Sequence, residues 1–109
     1  MNIADSLNNK MRGKTCVKCF QLDMHPTNLT YNLLLCLSSS EDSEEGDLVV
    51  IFEDVSDLYL QGFGGGLTQF MELIIGKEEN GFDRKNYRIE EVEENKLRFF
   101  CNDIEVIKG

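Results

Sequence analysis

Few residues of this 109-residue chain are of types and spacings that could do chemistry. Cys16-Val17-Lys18-Cys19 has the spacing of half a zinc site, but a closed tetrahedral site needs four ligands, usually from a second matching pair or a nearby His. Cys36 and Cys101 stand apart in the sequence, and His25 is the only histidine. The redox version of the motif needs the pair at the N-terminus of a helix, where the dipole lowers a thiol pKa; here the flanking residues read as strand. The cysteines are therefore expected to serve as small apolar side chains within strands. Glu41-Asp42-Ser43-Glu44-Glu45-Gly46-Asp47 clusters carboxylates as a hard cation prefers, yet its spacing departs from the Asp-x-Asp-x-Asp-Gly loop with a distal Glu.

Signs of catalysis are weaker still. General acid–base work near neutral pH usually falls to His, and His25 sits beside Pro26 in an expected turn. No Ser occupies a Gly-x-Ser-x-Gly elbow. Glu90-Glu91 and Glu93-Glu94 flank an expected hairpin, where solvated charge is the ordinary role. Gly62-Phe63-Gly64-Gly65-Gly66 lacks the Gly-Lys-Ser/Thr ending of a phosphate loop, and reads instead as a tight turn or bulge with positive φ. Neither an enzyme nor a cofactor is expected.

The charge distribution is more telling. The formal net charge is −9, from 20 acidic and 11 basic residues. No Lys or Arg lies between Cys19 and Gly76, whereas ten carboxylates do: Asp23, Glu41, Asp42, Glu44, Glu45, Asp47, Glu53, Asp54, Asp57 and Glu72. The first 18 residues carry four basic groups against one acidic one. Such a field repels nucleic acid and anionic membranes and steers cationic partners in. No run nears the roughly 18 apolar residues that span a bilayer, and the N-terminus lacks the basic-then-apolar layout of a signal peptide. A cytoplasmic protein is expected.

The elements that must hold these groups repeat with a period of two. Lys14 to Leu22, Tyr31 to Leu37, Leu48 to Phe52, Val55 to Gln61, Tyr87 to Glu91, Leu97 to Cys101 and Ile104 to Ile107 read as strands. Asp23 to Asn28, the acidic stretch and Glu93-Glu94-Asn95 read as turns or loops. Residues 67–75 fit both a helical stripe and a strand, and are expected to form a short helical turn near Thr68 leading into a strand. Residues 1–13 are expected to be flexible or a short helix. The predicted fold is mainly β: one domain over residues 1–109, an antiparallel sheet forming a sandwich or half barrel, with at most one or two short helices.

Residues Leu48 to Val106 resemble small bacterial immunity proteins of contact-dependent growth inhibition and other polymorphic toxin systems. The likeness is carried by Phe52-Glu53-Asp54-Val55-Ser56-Asp57-Leu58-Tyr59-Leu60, by Gly62-Phe63-Gly64-Gly65-Gly66-Leu67-Thr68-Gln69, by Asn86-Tyr87-Arg88-Ile89 and by Phe99-Phe100-Cys101-Asn102-Asp103-Ile104-Glu105. It implies a β-rich monomer that binds one cognate toxin domain, one to one, and blocks its active site. Toxins of this sort are often nucleases or ribonucleases with basic, phosphate-holding sites, which agrees with the acidic charge. Carboxylates can take phosphate positions through charge-assisted hydrogen bonds. The expected binding surface is Glu41, Asp42, Glu44, Glu45 and Asp47 with Glu53, Asp54, Asp57 and Tyr59; Phe63 is a second aromatic, expected mainly in the core. The competing reading is a small metal- or ligand-binding β domain using the acidic loop or the Cys16/Cys19 pair.

Overall fold

The computed structural model describes residues 3–39, 46–78 and 85–109. A helix α1 (Ile3–Met11) precedes eight strands: β1 (Cys16–Met24), β2 (Tyr31–Ser38), β3 (Leu48–Glu53), β4 (Ser56–Leu60), β5 (Leu73–Lys77), β6 (Tyr87–Glu91), β7 (Leu97–Cys101) and β8 (Asp103–Lys108). They form two four-stranded sheets of order β1-β2-β3-β8 and β4-β7-β6-β5, antiparallel throughout. The fold is thus mainly β, in the form of a sandwich.

Alternation in sequence becomes an inner and an outer face. Leu33, Leu35 and Leu37 of β2, Leu48, Val50 and Phe52 of β3, Ile89 of β6 and Leu97, Phe99 and Cys101 of β7 are buried in one apolar cluster, as period-two strands with one wet face require. Phe52 and Phe99 join the two sheets, their rings edge to face with centroids 5.1 Å apart, a favoured aromatic geometry. Helix α1 buries Ala4, Leu7 and Met11, one stripe at helical spacing. Asp5 in its first turn and Lys10 in its last suit the helix dipole, and Gly13 at φ 80° follows its end, a conformation that favours glycine.

Two local expectations meet different outcomes. The glycine run does turn with positive φ, at Gly62, Gly64, Gly65 and Gly66. The helical turn near Thr68 does not form. The Val17 N–H donates to the Thr68 carbonyl and the Phe70 N–H to the Thr15 carbonyl, each at 2.9–3.0 Å, and Gln69 bridges to Cys16. Backbone groups that a helix would satisfy internally are satisfied by the start of β1 instead.

The two sheets exchange chain at one end. Between β3 and β4 the chain turns through Asp54 and Val55, and between β7 and β8 through Asn102 alone. The Asn102 N–H donates to the Glu53 carbonyl at 2.9 Å, so the two crossings lie side by side.

Candidate functional site at the hairpin corner

The β1–β2 hairpin ends at this same corner. Its turn is built by His25: the ring Nδ1 accepts the N–H groups of Thr27 and Asn28 at 3.2 and 3.3 Å, and the His25 N–H donates to the Thr30 carbonyl at 2.7 Å. The histidine therefore organises a turn. Two bonds fasten the hairpin to the β3–β4 crossing. The Val55 N–H donates to the Tyr31 carbonyl at 2.7 Å, and the Asp54 N–H to Oδ1 of Asn32 at 3.1 Å.

The inner face of the hairpin outruns its cover. Leu22 pairs with buried Leu33, and Met24 with Tyr31, so these side chains continue the inner face toward the hairpin tip. Leu22, Met24 and Tyr31 are nonetheless 42%, 50% and 48% exposed, and Leu29 in the turn 66%. Leu22, Met24 and Tyr31 form an exposed apolar patch on one face of the hairpin, of the kind that marks contact surfaces, and Leu29 is exposed in the turn beyond. The patch borders a shallow hollow of about 230 Å³ that Val55 and Leu58 also line.

Carboxylates lie at the same corner, on the outer face of the first sheet and in the crossing. A second hollow, of about 390 Å³, is framed by the hairpin turn, by Asn32, by Glu53 and Asp54, and by Asn102. Glu53 stands directly opposite Asp103 across β3 and β8. Like charges so placed cost roughly 0.2–1 kcal/mol, and among the described residues neither forms an ion pair. Burial foremost, then the nearby charges of Asp103, Asp54 and Glu53, pushes the Cys101 thiol up to about 12. Three carboxylates thus gather over one end of the core.

The structure separates the expected site residues into three places. Glu53 and Asp54 are at the corner just described. Asp57 is not free acidic surface: its Oδ2 accepts from Nζ of Lys85 at 2.6 Å, and that ammonium also lies 5.1 Å from the Phe100 ring centroid. Tyr59 is on the outer face of the second sheet, with the Arg98 guanidinium 4.8 Å from its ring centroid and its hydroxyl donating to Gln61 at 2.7 Å. Asp47 is at the opposite end of β3 from Glu53, about 20 Å away at the rise of a strand. Glu41, Asp42, Glu44 and Glu45 lie outside the described residues.

Around Asp47 the charge is partly compensated. Lys18 pairs with Asp47 at 3.8 Å, and Lys14 donates to the Gly46 carbonyl. Two of the four N-terminal cations thus lie against Gly46 and Asp47. That proximity joins segments about thirty residues apart, and no local pattern announces it.

Other sequence-singled residues resolve differently. The Cys16 thiol accepts from the Gln69 side chain at 3.8 Å, while Cys19 stands opposite Cys36; a β-bulge between Val17 and Cys19 shifts the register of the two. Among the described residues, no three His, Cys, Asp or Glu side chains group so as to hold a metal ion. Phe63 is 44% exposed, yet packs between Phe20 and Phe70 at centroid distances of 5.4 and 6.5 Å. Glu91, expected as solvated charge, is 1% exposed. Its carboxylate accepts the N–H groups of Glu93, Glu94 and Lys96 at 2.8–3.1 Å, which is how a buried carboxylate is satisfied. The apolar hairpin patch was missed because exposure depends on what the other sheet covers. The one available signal was the density of apolar residues from Phe20 to Tyr31, which continues past the expected strand end at Leu22.

Among the described residues no helix is long and apolar enough to cross a membrane. The protein-family model described as Immunity protein PIM8 matches residues 2–107, nearly the whole chain. The chain belongs to that immunity protein family, whose role implies binding a cognate toxin. No curated protein and no solved structure matches it.

Proposed function

We propose that this member of the PIM8 immunity family neutralises one cognate toxin domain by forming a one-to-one complex, without chemistry of its own, through the corner where the β1–β2 hairpin meets the β3–β4 crossing. The observation that carries the reading is the corner itself: Leu22, Met24 and Tyr31 lie exposed on the inner face of the hairpin, Glu53 and Asp103 stand on the outer face of the same sheet, and Asp54 sits in the crossing between them. An apolar centre with a charged rim is the usual anatomy of a protein interface. Tyr31 and Met24 are the anchors, since binding energy concentrates in large side chains that bury fully on contact. The carboxylates select a basic toxin surface and speed its approach.

A nuclease or ribonuclease active site fits that surface, because it is built to hold phosphates and accepts carboxylates in their place. The acidic residues Glu41, Asp42, Glu44, Glu45 and Asp47 add to the long-range field rather than to the contact. Tyr59, already stacked with Arg98, lies outside the contact. Inhibition takes place in the cytoplasm, where a toxin of this class would meet its target.

The test is the affinity of the purified chain for the toxin domain encoded beside it. Replacing Tyr31 or Met24 by Ala is expected to weaken binding about tenfold or more, chiefly through faster dissociation. Glu53→Gln with Asp54→Asn is expected to slow association and flatten its salt dependence. Asn suits position 54 because Asp54 sits at φ 58°, where Asn is tolerated. Full affinity in a folded Leu22→Ala/Met24→Ala/Tyr31→Ala variant would move the interface elsewhere.

A further inference from the structure

Cys19 and Cys36 face each other directly in the register of β1 and β2. Both are half-buried free thiols, on the face of the first sheet opposite the core. Directly opposed residues in an antiparallel pair have Cα atoms about 4.5 or 5.5 Å apart, depending on the hydrogen-bonding position. Both values fall within the roughly 4.4–6.8 Å that a disulfide spans. Cβ separations of opposed residues, about 4.5–5.5 Å, exceed the disulfide mean of about 3.8 Å, so closure must draw the strands together. The β-bulge between Val17 and Cys19 is where β1, an edge strand, can give.

We propose that Cys19 and Cys36 form a reversible cross-strand disulfide by exchange with a low-molecular-weight disulfide such as oxidised glutathione. The Cys19 thiolate attacks one sulfur of that disulfide, and the first glutathione leaves as a thiolate. The Cys36 thiolate then attacks the Cys19 sulfur of the mixed disulfide and expels the second glutathione. The two protein thiols are oxidised by two electrons, the glutathione disulfide is reduced to two thiols, and the two protons pass to the glutathione released. Burial, with Asp47 and Cys19 close by, pushes the Cys36 thiol up. Its thiolate is therefore scarce near neutral pH, and the second step speeds up as pH rises. The link ties edge strand β1 to β2 just beyond the Lys18–Asp47 pair, and its strain keeps it open to reduction.

This site is independent of the toxin-binding reading, and its test needs no toxin. The full chain is incubated with oxidised glutathione at mildly alkaline pH, alkylated, and cut at aspartates and lysines. Asp23 lies between Cys19 and Cys36 and Lys18 between Cys16 and Cys19, so a link joins two separate fragments and Cys16 falls in a third. The expected result is a Cys19–Cys36 cross-linked fragment pair, lost on reduction, and a thermal midpoint raised by several degrees or on the order of 10 °C for a loop of this length. In Cys36→Ser, Cys19 is expected to stop at a stable glutathione adduct. Glutathione adducts on both thiols without a cross-link, no modification of either, or a link to Cys16 or Cys101 would each overturn the proposal.

Discussion

The side-chain amide of Asn8 brackets the peptide of Ile75: its Nδ2–H donates to the Ile75 carbonyl at 2.9 Å, and its Oδ1 accepts the Ile75 N–H at 2.8 Å. In this way helix α1 presents to β5, an edge strand, the donor–acceptor pair that a neighbouring strand would offer. An open edge invites pairing with other chains, and this amide closes it at one residue.

Asn8→Ala leaves both Ile75 groups without their partner in a partly buried place. A loss of about 1–3 kcal/mol is expected, read as a lower denaturant midpoint. Asn8→Asp keeps the acceptor but not the donor and is expected to fall between the two. Equal stability of all three would mean that water replaces the amide at no cost.

Glu91 is a second internal ligand of the backbone. Glu91→Ala strips three turn amides of their acceptor and is expected to cost about 2–4 kcal/mol. Glu91→Gln keeps one acceptor oxygen and is expected to cost less. Chemical denaturation of the three proteins gives the order directly, and hydrogen exchange of the Glu93, Glu94 and Lys96 amides localises it.

Cys101 predicts an alkaline decline in stability. Its thiol is held up to about 12 in the folded chain, against an ordinary value of 9.0. Below pH 9 it is protonated in both states and its contribution is complete. Above that, the unfolded chain releases the proton and the folded chain does not, so stability falls by about 1.4 kcal/mol per pH unit until the folded thiol also ionises. Cys101→Ala is less stable at pH 7 but is expected to decline less steeply from pH 9 to 11. Parallel declines of the two proteins would place the effect on other groups.

Asp57 and Glu53 are expected to respond to different degrees in binding although both are acidic. Asp57 is paired with Lys85, so Asp57→Asn removes one unit of long-range negative charge but no carboxylate available to the toxin at close range; toxin affinity is expected to change less than threefold, on the scale of an exposed pair worth about 0–1 kcal/mol. Glu53→Gln removes a carboxylate with no ion pair among the described residues, and is expected to lower the association rate several-fold at low salt. Stopped-flow association at two salt concentrations separates the two cases.

Much of the strand layout is legible in the residue pattern because an antiparallel strand with one wet face must alternate. Leu97, Phe99 and Cys101 declare their inward face by spacing, whereas 33–37 and 48–52 are continuous apolar runs in which packing selected Leu33, Leu35 and Leu37 and then Val50 and Phe52. Residues 67–72 declare no face, since the same apolar residues suit a helix and a strand. There the choice fell to tertiary hydrogen bonds from Thr15 and Val17. The β1 strand also runs on to Met24, past its expected end at Leu22, because Tyr31 is there to pair with it.

What the amino-acid order determined by itself is therefore the β class, the positive-φ glycine turn, the net acidity and the resemblance to immunity proteins that the PIM8 match bears out. All of these rest on composition or on neighbours a few residues apart. The tertiary structure decided which charges remain available. Lys85 meets Asp57 across 28 positions, Lys18 meets Asp47 across 29, and Glu91 turns inward to hold a loop. It also decided that Leu22, Met24 and Tyr31 stay uncovered, because the second sheet ends short of the hairpin tip. Exposure and ion pairing are properties of the distances between distant segments, and the packing of the two sheets sets those distances.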